Sequence, residues 1–109
     1  MDLYSAYAAS APAEVTFSGT VTGAARFFFG TRTKCEHETF GVRTPAGPVQ
    51  IIDNTGIAPR VPVQPGDRIE VRGEMVHDPG RIPIVHWTHH DPQGRHDAGF
   101  IELRGQFYA

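Results

Sequence analysis

Glycine and proline cut this chain into short runs, and that punctuation constrains its fold more than any other feature. The 12 Gly and 9 Pro fall among 109 residues, so most of the stretches between them are of strand length rather than of packed-helix length. Within the runs, apolar and polar residues alternate. Val15, Phe17, Gly19 and Val21 alternate with Thr16, Ser18, Thr20 and Thr22, the pattern of a half-buried strand. The same reading places strands at His37–Thr44, Val49–Ile52, Arg68–Val76, Ile82–Thr88 and Phe100–Phe107. Pro45-Ala46-Gly47 turns the second into the third, and Gln64-Pro65-Gly66-Asp67 is a tight turn with proline at its second position. His77-Asp78-Pro79-Gly80 and Asp91-Pro92-Gln93-Gly94 are further turns. Ile57–Val61 has room for at most one helical turn, because proline blocks its continuation.

These elements predict an all-β chain: a small five- to six-stranded OB-like barrel with at most one short helical turn, between the third and fourth strands. A two-sheet sandwich is the rival architecture. Gly19 and Gly73, inside strands, mark the sharp coiling of a small barrel. The expected organisation is one barrel domain over residues 14–109 behind a flexible lead-in over residues 1–13.

A hydrophobic content of 39% is enough for a core. Ten basic against twelve acidic side chains leave a net charge of −2, unlike the strongly basic balance of a domain dedicated to coating nucleic acid. No apolar run has the length of a membrane span, so no membrane partner is expected. Cys35 is the single cysteine, which excludes an internal disulfide and a multi-cysteine zinc finger. The N-terminus has no basic start and only a brief apolar run, so it does not read as a signal peptide. The expected location is the cytoplasm, or the outside as a mature exported form.

Five of the six histidines lie between His77 and His96, in HDPGRIPIVHWTHHDPQGRHD. On an extended strand His86, Thr88 and His90 share one face, and Trp87, His89 and Asp91 the other. A four-residue turn at Asp91–Gly94 sets His90 against Arg95 and His89 against His96, with Cβ atoms about 4.5–5.5 Å apart. Two imidazoles at that spacing can share a metal ion. The expected metal ligands are His89, His96 and Asp91, around a divalent ion such as zinc, manganese or magnesium. The expected catalytic residues are His37, His86, His90 and Arg95, and the expected substrate contacts are Asn54, Arg60 and Arg95. Arginine holds a phosphodiester by forked hydrogen bonds. A metal-activated water beside such a clamp is a hydrolase design. A metal-free form would use one imidazole as base and another as acid.

Each residue also has an ordinary reading. His77 beside a turn is a solvated loop residue. His89 and His90 are adjacent, so only one faces a given pocket. Trp87 reads as a barrel-core anchor. Phe27, Phe28, Phe29, Phe100, Phe107 and Tyr108 read mostly as core, although three adjacent phenylalanines cannot share one side of a strand. Cys35 and His37 share a face without need of a joint role. Arg68, Glu70, Arg72 and Glu74 read as a solvated strand face, and Asn54 as a turn former.

His86-Trp87-Thr88-His89-His90-Asp91-Pro92, followed by Gly94-Arg95-His96 and Gly99, resembles the signature of a family of small bacterial proteins defined as a domain of unknown function and marked by an HWTHHDP motif. The resemblance extends to His37 with Phe40, to Asn54 with Ala58-Pro59-Arg60, to Gly66-Asp67 and to Gly73-Glu74. It covers roughly His37 to Tyr108 and carries no reaction with it. It implies that His37, His86, His89, His90, Asp91 and His96 belong to one set. The function expected from all of this is a phosphodiester hydrolase, a metal-dependent nuclease with nucleic acid as its substrate. The alternatives are a non-catalytic OB-like module that binds an oligonucleotide or another ligand, and a metal-binding protein. An exposed strand edge leaves the oligomeric state open.

Overall fold

A computed structural model describes residues 1–109. The alternating segments form β1 (Ala13–Val21), β3 (Cys35–Thr44), β4 (Gly47–Asn54) and β5 (Arg68–Val76), and the short β6 (Ile84–His86) joins them. β1 pairs antiparallel with β3 and β5, β3 with β4, and β5 with β6, while β4 runs parallel to β6. The ring closes in the order β1-β3-β4-β6-β5 and back to β1, which is an OB-like barrel. Its interior is filled by the inward residues of every strand, among them Val15, Phe17, Phe40, Val42, Ile51, Val71, Met75 and Val85. Each contributes about 1.5–3 kcal/mol on full burial if it is large and aliphatic or aromatic.

Three further strands decorate the ring. β2 (Arg26–Gly30) adds to the edge of β3 as a hairpin arm, and β7 (Phe100–Leu103) and β8 (Gln106–Tyr108) form a second hairpin. The placement of β7 is the key to the molecule. It lies on the same edge of β5 as β6 does: β6 covers Glu74–Val76 and β7 covers Ile69–Arg72. One strand position is therefore occupied by two segments, and residues 87–99 leave the wall between them and return to it. This is an Ω-type excursion, whose ends lie close together. The Gly99 N–H donates to the His89 carbonyl at 2.9 Å. A Cβ on Gly99 would overlap the carbonyl oxygens of Trp87 and Arg72, and one on Gly73 would overlap that of His86. Gly73 thus makes room for the break in the wall, a more specific role than the coiling expected of it.

Several expectations change. Phe27, Phe28 and Phe29 are in a regular strand but are not core: they are 42%, 44% and 65% exposed. The arm projects beyond the barrel, so neither of its faces has a layer to pack on. Phe107 is likewise exposed and Phe100 only half-buried, the two rings packing edge to face on the second hairpin. The sixth strand is that hairpin, turned at Arg104-Gly105, where both residues have positive φ. The helical turn is not at Ile57–Val61. There the Asn54 carbonyl takes the N–H groups of Ile57 and Ala58, and Pro59 and Pro62 stop the coil. It is instead α1 (Leu3–Ala8), within the expected lead-in. Asp2 caps it through the Ser5 N–H, Ala6 is buried against the core, and the Tyr7 hydroxyl donates to the Pro48 carbonyl. His77 is half-buried rather than free at a loop tip: its Nε2–H donates to the Ala6 carbonyl at 2.9 Å.

Because the loop ends meet through backbone alone, Gly99→Ala is expected to destabilise the fold by about 1–3 kcal/mol, the usual cost of overpacking. Gly80→Ala, where a Cβ would meet nothing, faces only the smaller cost of its positive φ. Chemical denaturation of both variants checks the contrast, and equal midpoints would refute it.

Candidate functional site

The excursion is built around one carboxylate. Asp91 accepts the backbone N–H of Gln93 at 2.9 Å through Oδ1, and those of Arg95 and His96 through Oδ2. These N–H groups, Gln93 first, hold the Asp91 carboxyl below its ordinary range. The turn then returns the chain so that His96 comes back over Trp87 and His89. Trp87 has a φ of 55°, a left-handed conformation rare for an aromatic residue. It turns the indole out of the wall and between two imidazoles. His86 stacks on the Trp87 indole at 4.7 Å and His96 stacks on it at 4.4 Å, both nearly parallel to it. Trp87 is therefore a spacer at the site, not a core anchor.

His89 lies edge-on to His96, with ring centroids 5.5 Å apart. The His89 Nδ1–H donates to the His90 carbonyl, and the His96 Nδ1–H donates to that of Asp97. A carbonyl only accepts, so these bonds set the tautomer and leave a lone pair on each Nε2. Burial lowers the His89 pKa and favours its neutral ring. His86 is held differently: its Nε2 is 2.8 Å from Oε1 of Glu74. Glu74 is thus an orienting partner rather than a solvated strand residue. The sequence signal for it is the alternation that puts Glu74 on the outward face of β5, opposite His86 once β6 is paired.

A cleft of about 480 Å³ opens between the loop and the outer face of β3 and β4. His37, Asn54, His86, Trp87, His89, Asp91, Arg95 and His96 all line it. It continues into a second hollow of about 340 Å³ that adds Cys35 and Gln93. His37 reaches it from β3, its ring stacked on Phe28 at 5.1 Å and its Nε2 3.5 Å from the Thr33 hydroxyl. Asn54 shapes its turn, accepting the Gly56 N–H at 2.9 Å, and also faces the cleft.

Two expected residues are elsewhere. His90 is exposed and outside the cleft, because its neighbour His89 takes the inward position. Arg60 pairs with Glu36 and lies over the Phe27 ring at 4.0 Å, on the other side of the arm. The expected metal triad is not assembled as such. Both oxygens of Asp91 are engaged by the backbone, and no group of three or more His, Cys, Asp or Glu side chains is arranged to hold one ion. The donors left uncommitted are the Nε2 atoms of His89 and His96.

Sequence reading passed over two interior residues. Glu38 and Asp53 are fully buried on the inner faces of β3 and β4. They follow the same alternation as the core residues Phe40 and Ile51, and that alternation was the available signal. The Thr88 hydroxyl donates to Asp53 Oδ1 at 2.8 Å and ties the stem of the loop to the barrel floor.

The comparison with known families bears on this whole unit. A family model described as "Protein of unknown function (DUF3465)" matches residues 4–109. The chain belongs to the DUF3465 family. The match takes in α1, the barrel, the arm and the histidine loop of this DUF3465 chain together. No curated protein matches it.

Asp91→Ala removes the acceptor of three N–H groups. The amides of Gln93, Arg95 and His96 are expected to exchange with solvent at least tenfold faster, while those of β1 and β5 keep their protection. Native-state hydrogen exchange reads this directly. Because the Asp91 pKa is lowered in the folded state, the support it gives is present above the ordinary carboxylate range and is lost as pH falls through its folded pKa.

Proposed function

We propose that this protein is a phosphodiester hydrolase that cleaves nucleic acid by imidazole acid–base catalysis. One observation carries the reading: His89 and His96 stand 5.5 Å apart across a cleft, each with Nδ1 tied to a carbonyl and Nε2 left open, beside Arg95. Neutral His89 takes the proton of a water as its oxygen attacks phosphorus. Protonated His96 gives its proton to the leaving oxygen as the phosphorus–oxygen bond breaks. Asp91 Oδ2, 3.8 Å from His96 Nε2, supports that imidazolium. Arg95 holds the non-bridging oxygens as negative charge builds on them. The His86–Trp87–His96 stack keeps the acid in plane, and Glu74 fixes His86. The Nε2 pair of His89 and His96 is also where a divalent ion would bind if the reaction uses one, supplying an activated water in place of the base.

The test is incubation of the purified chain with single- and double-stranded DNA and RNA, with and without chelator. Cleavage that survives chelation is expected, with His89→Ala lowering kcat by about 10²–10⁴ and Arg95→Ala lowering kcat and kcat/KM together. Cleavage only with added metal moves the chemistry to the ion. No cleavage with any substrate or metal removes the reading.

A second reading, a module that binds oligonucleotides without cleaving them, is favoured by the hairpin arm. Phe28 is on the same face as Cys35 and His37, which line the cleft. Arg26, Arg32 and Lys34 around it are exposed and form no ion pair. Exposed rings among free cations suit single-stranded bases and phosphates. In chelator, Phe28→Ala is expected to weaken binding of a labelled single-stranded oligonucleotide roughly tenfold. Unchanged anisotropy titrations would count against the arm whether or not the chain cleaves.

A further inference from the structure

We propose that Glu38 and Asp53 are a buried acid pair that holds one proton between them and, through Thr88, makes the seating of the histidine loop depend on that proton. The two residues are direct cross-strand partners on the inner faces of β3 and β4, a position that places Cβ atoms about 4.5–5.5 Å apart. Both are 0% exposed. Each has one satisfied oxygen: Glu38 Oε1 accepts the Val61 N–H at 2.7 Å, and Asp53 Oδ1 accepts the Thr88 hydroxyl at 2.8 Å. Each also has one orphan, Glu38 Oε2 and Asp53 Oδ2, buried without a partner.

Two buried acceptors facing a common interior lack only a donor. A proton on either carboxyl supplies it, converting one orphan into an O–H and the other into its acceptor. Full ionisation would instead leave two adjacent like charges in a low-dielectric interior, which carboxyl pairs avoid by retaining a proton. The charged groups that reach the pair do not change this. Arg60, from the connector after β4, favours ionisation of Glu38 but is exposed and paired with Glu36, whose own charge opposes it, and burial outweighs both. From the loop comes only the neutral Thr88 hydroxyl. Burial is the leading cause that raises both carboxyls, Asp53 to about 7.

The consequence for the loop is structural. Thr88 is fully buried between Trp87 and His89, and its hydroxyl sits on Asp53. A second negative charge in the floor needs water, and the stem at Thr88 is the lid over Asp53. The folded pair keeps a proton that the unfolded chain releases near the ordinary carboxylate range. Stability is therefore greatest at acid pH with respect to this pair, and falls as pH rises from about 4 through about 7.

The experiment is a pH titration of the full chain by carboxyl-carbon NMR, with backbone amides followed in parallel. The expected result is one carboxyl step of the pair near pH 7, with the Thr88, His89 and Gly99 amides shifting in step with it. Asp53→Asn is expected to abolish the neutral step and flatten the fall in stability, and Glu38→Gln, which removes the like charge and offers an amide donor, to move the Asp53 step toward the ordinary carboxylate range. If Asp53→Asn does not fold, Glu38→Gln serves alone, since Glu38 has no bond to the loop. Thr88→Val should keep the carboxyl step and uncouple the loop amides from it. Titration of both carboxyls to completion below about pH 5 overturns the shared proton. A neutral step with unmoved loop amides overturns the coupling. None of these readouts depends on hydrolysis, so the pair and the proposed reaction stand or fall separately.

Discussion

The wall of the barrel has to close across a gap in its own strand. β6 ends at His86 and β7 takes up the same edge of β5 at Phe100. The residues between them can leave the sheet only because the two ends touch backbone to backbone. That contact needs Gly73 and Gly99, whose missing side chains let carbonyls approach, and the Gly99 N–H on the His89 carbonyl closes it. Around a closed strand position the excursion is a rigid appendage. Around an open one it would be a long, unpaired loop whose histidines have no defined partner. The convergence of His86, His89 and His96 thus depends on hydrogen bonding in the wall behind them.

The interior and exterior of this wall carry opposite chemistry. Outside, imidazoles, an arginine and an indole line a water-accessible cleft, held by bonds that set their tautomers. Inside, two carboxylates take positions that alternation would assign to aliphatic residues. Burying them costs stability unless each is bonded, and the observed bonds use the loop stem and the connector after β4. Both segments outside the strands are fastened to the barrel floor by these acids. Arg72 adds a tie from the side, pairing with Glu14 on β1 at 3.1 Å and reaching Asp97 of the loop at 3.8 Å.

The arm shows where local pattern misleads. Phe27-Phe28-Phe29 has strong strand propensity and forms a strand. Burial, however, is decided by whether another layer lies above it. β2 is paired on one side only and extends past the barrel, so the most apolar triplet in the chain is exposed. His90 and Arg60 lie outside the cleft for comparable reasons. The left-handed turn at Trp87 resets the alternation of the faces, and Glu36 engages Arg60 away from the cleft. Glu38 and Asp53 escaped notice because charged residues in an alternating strand are ordinarily read as facing water.

From residue order alone follow the strands of the barrel, its turns and the gathering of histidines near Asp91, since each depends on period-2 alternation or turn chemistry over a few neighbours. Tertiary structure decided which imidazoles share a cavity, that Asp91 organises the backbone, and that two acids face each other in the interior. Those outcomes depend on pairing between strands distant in sequence, and on a strand position broken at His86 and resumed at Phe100 after the intervening residues 87–99. Local periodicity carries no information about where a wall closes.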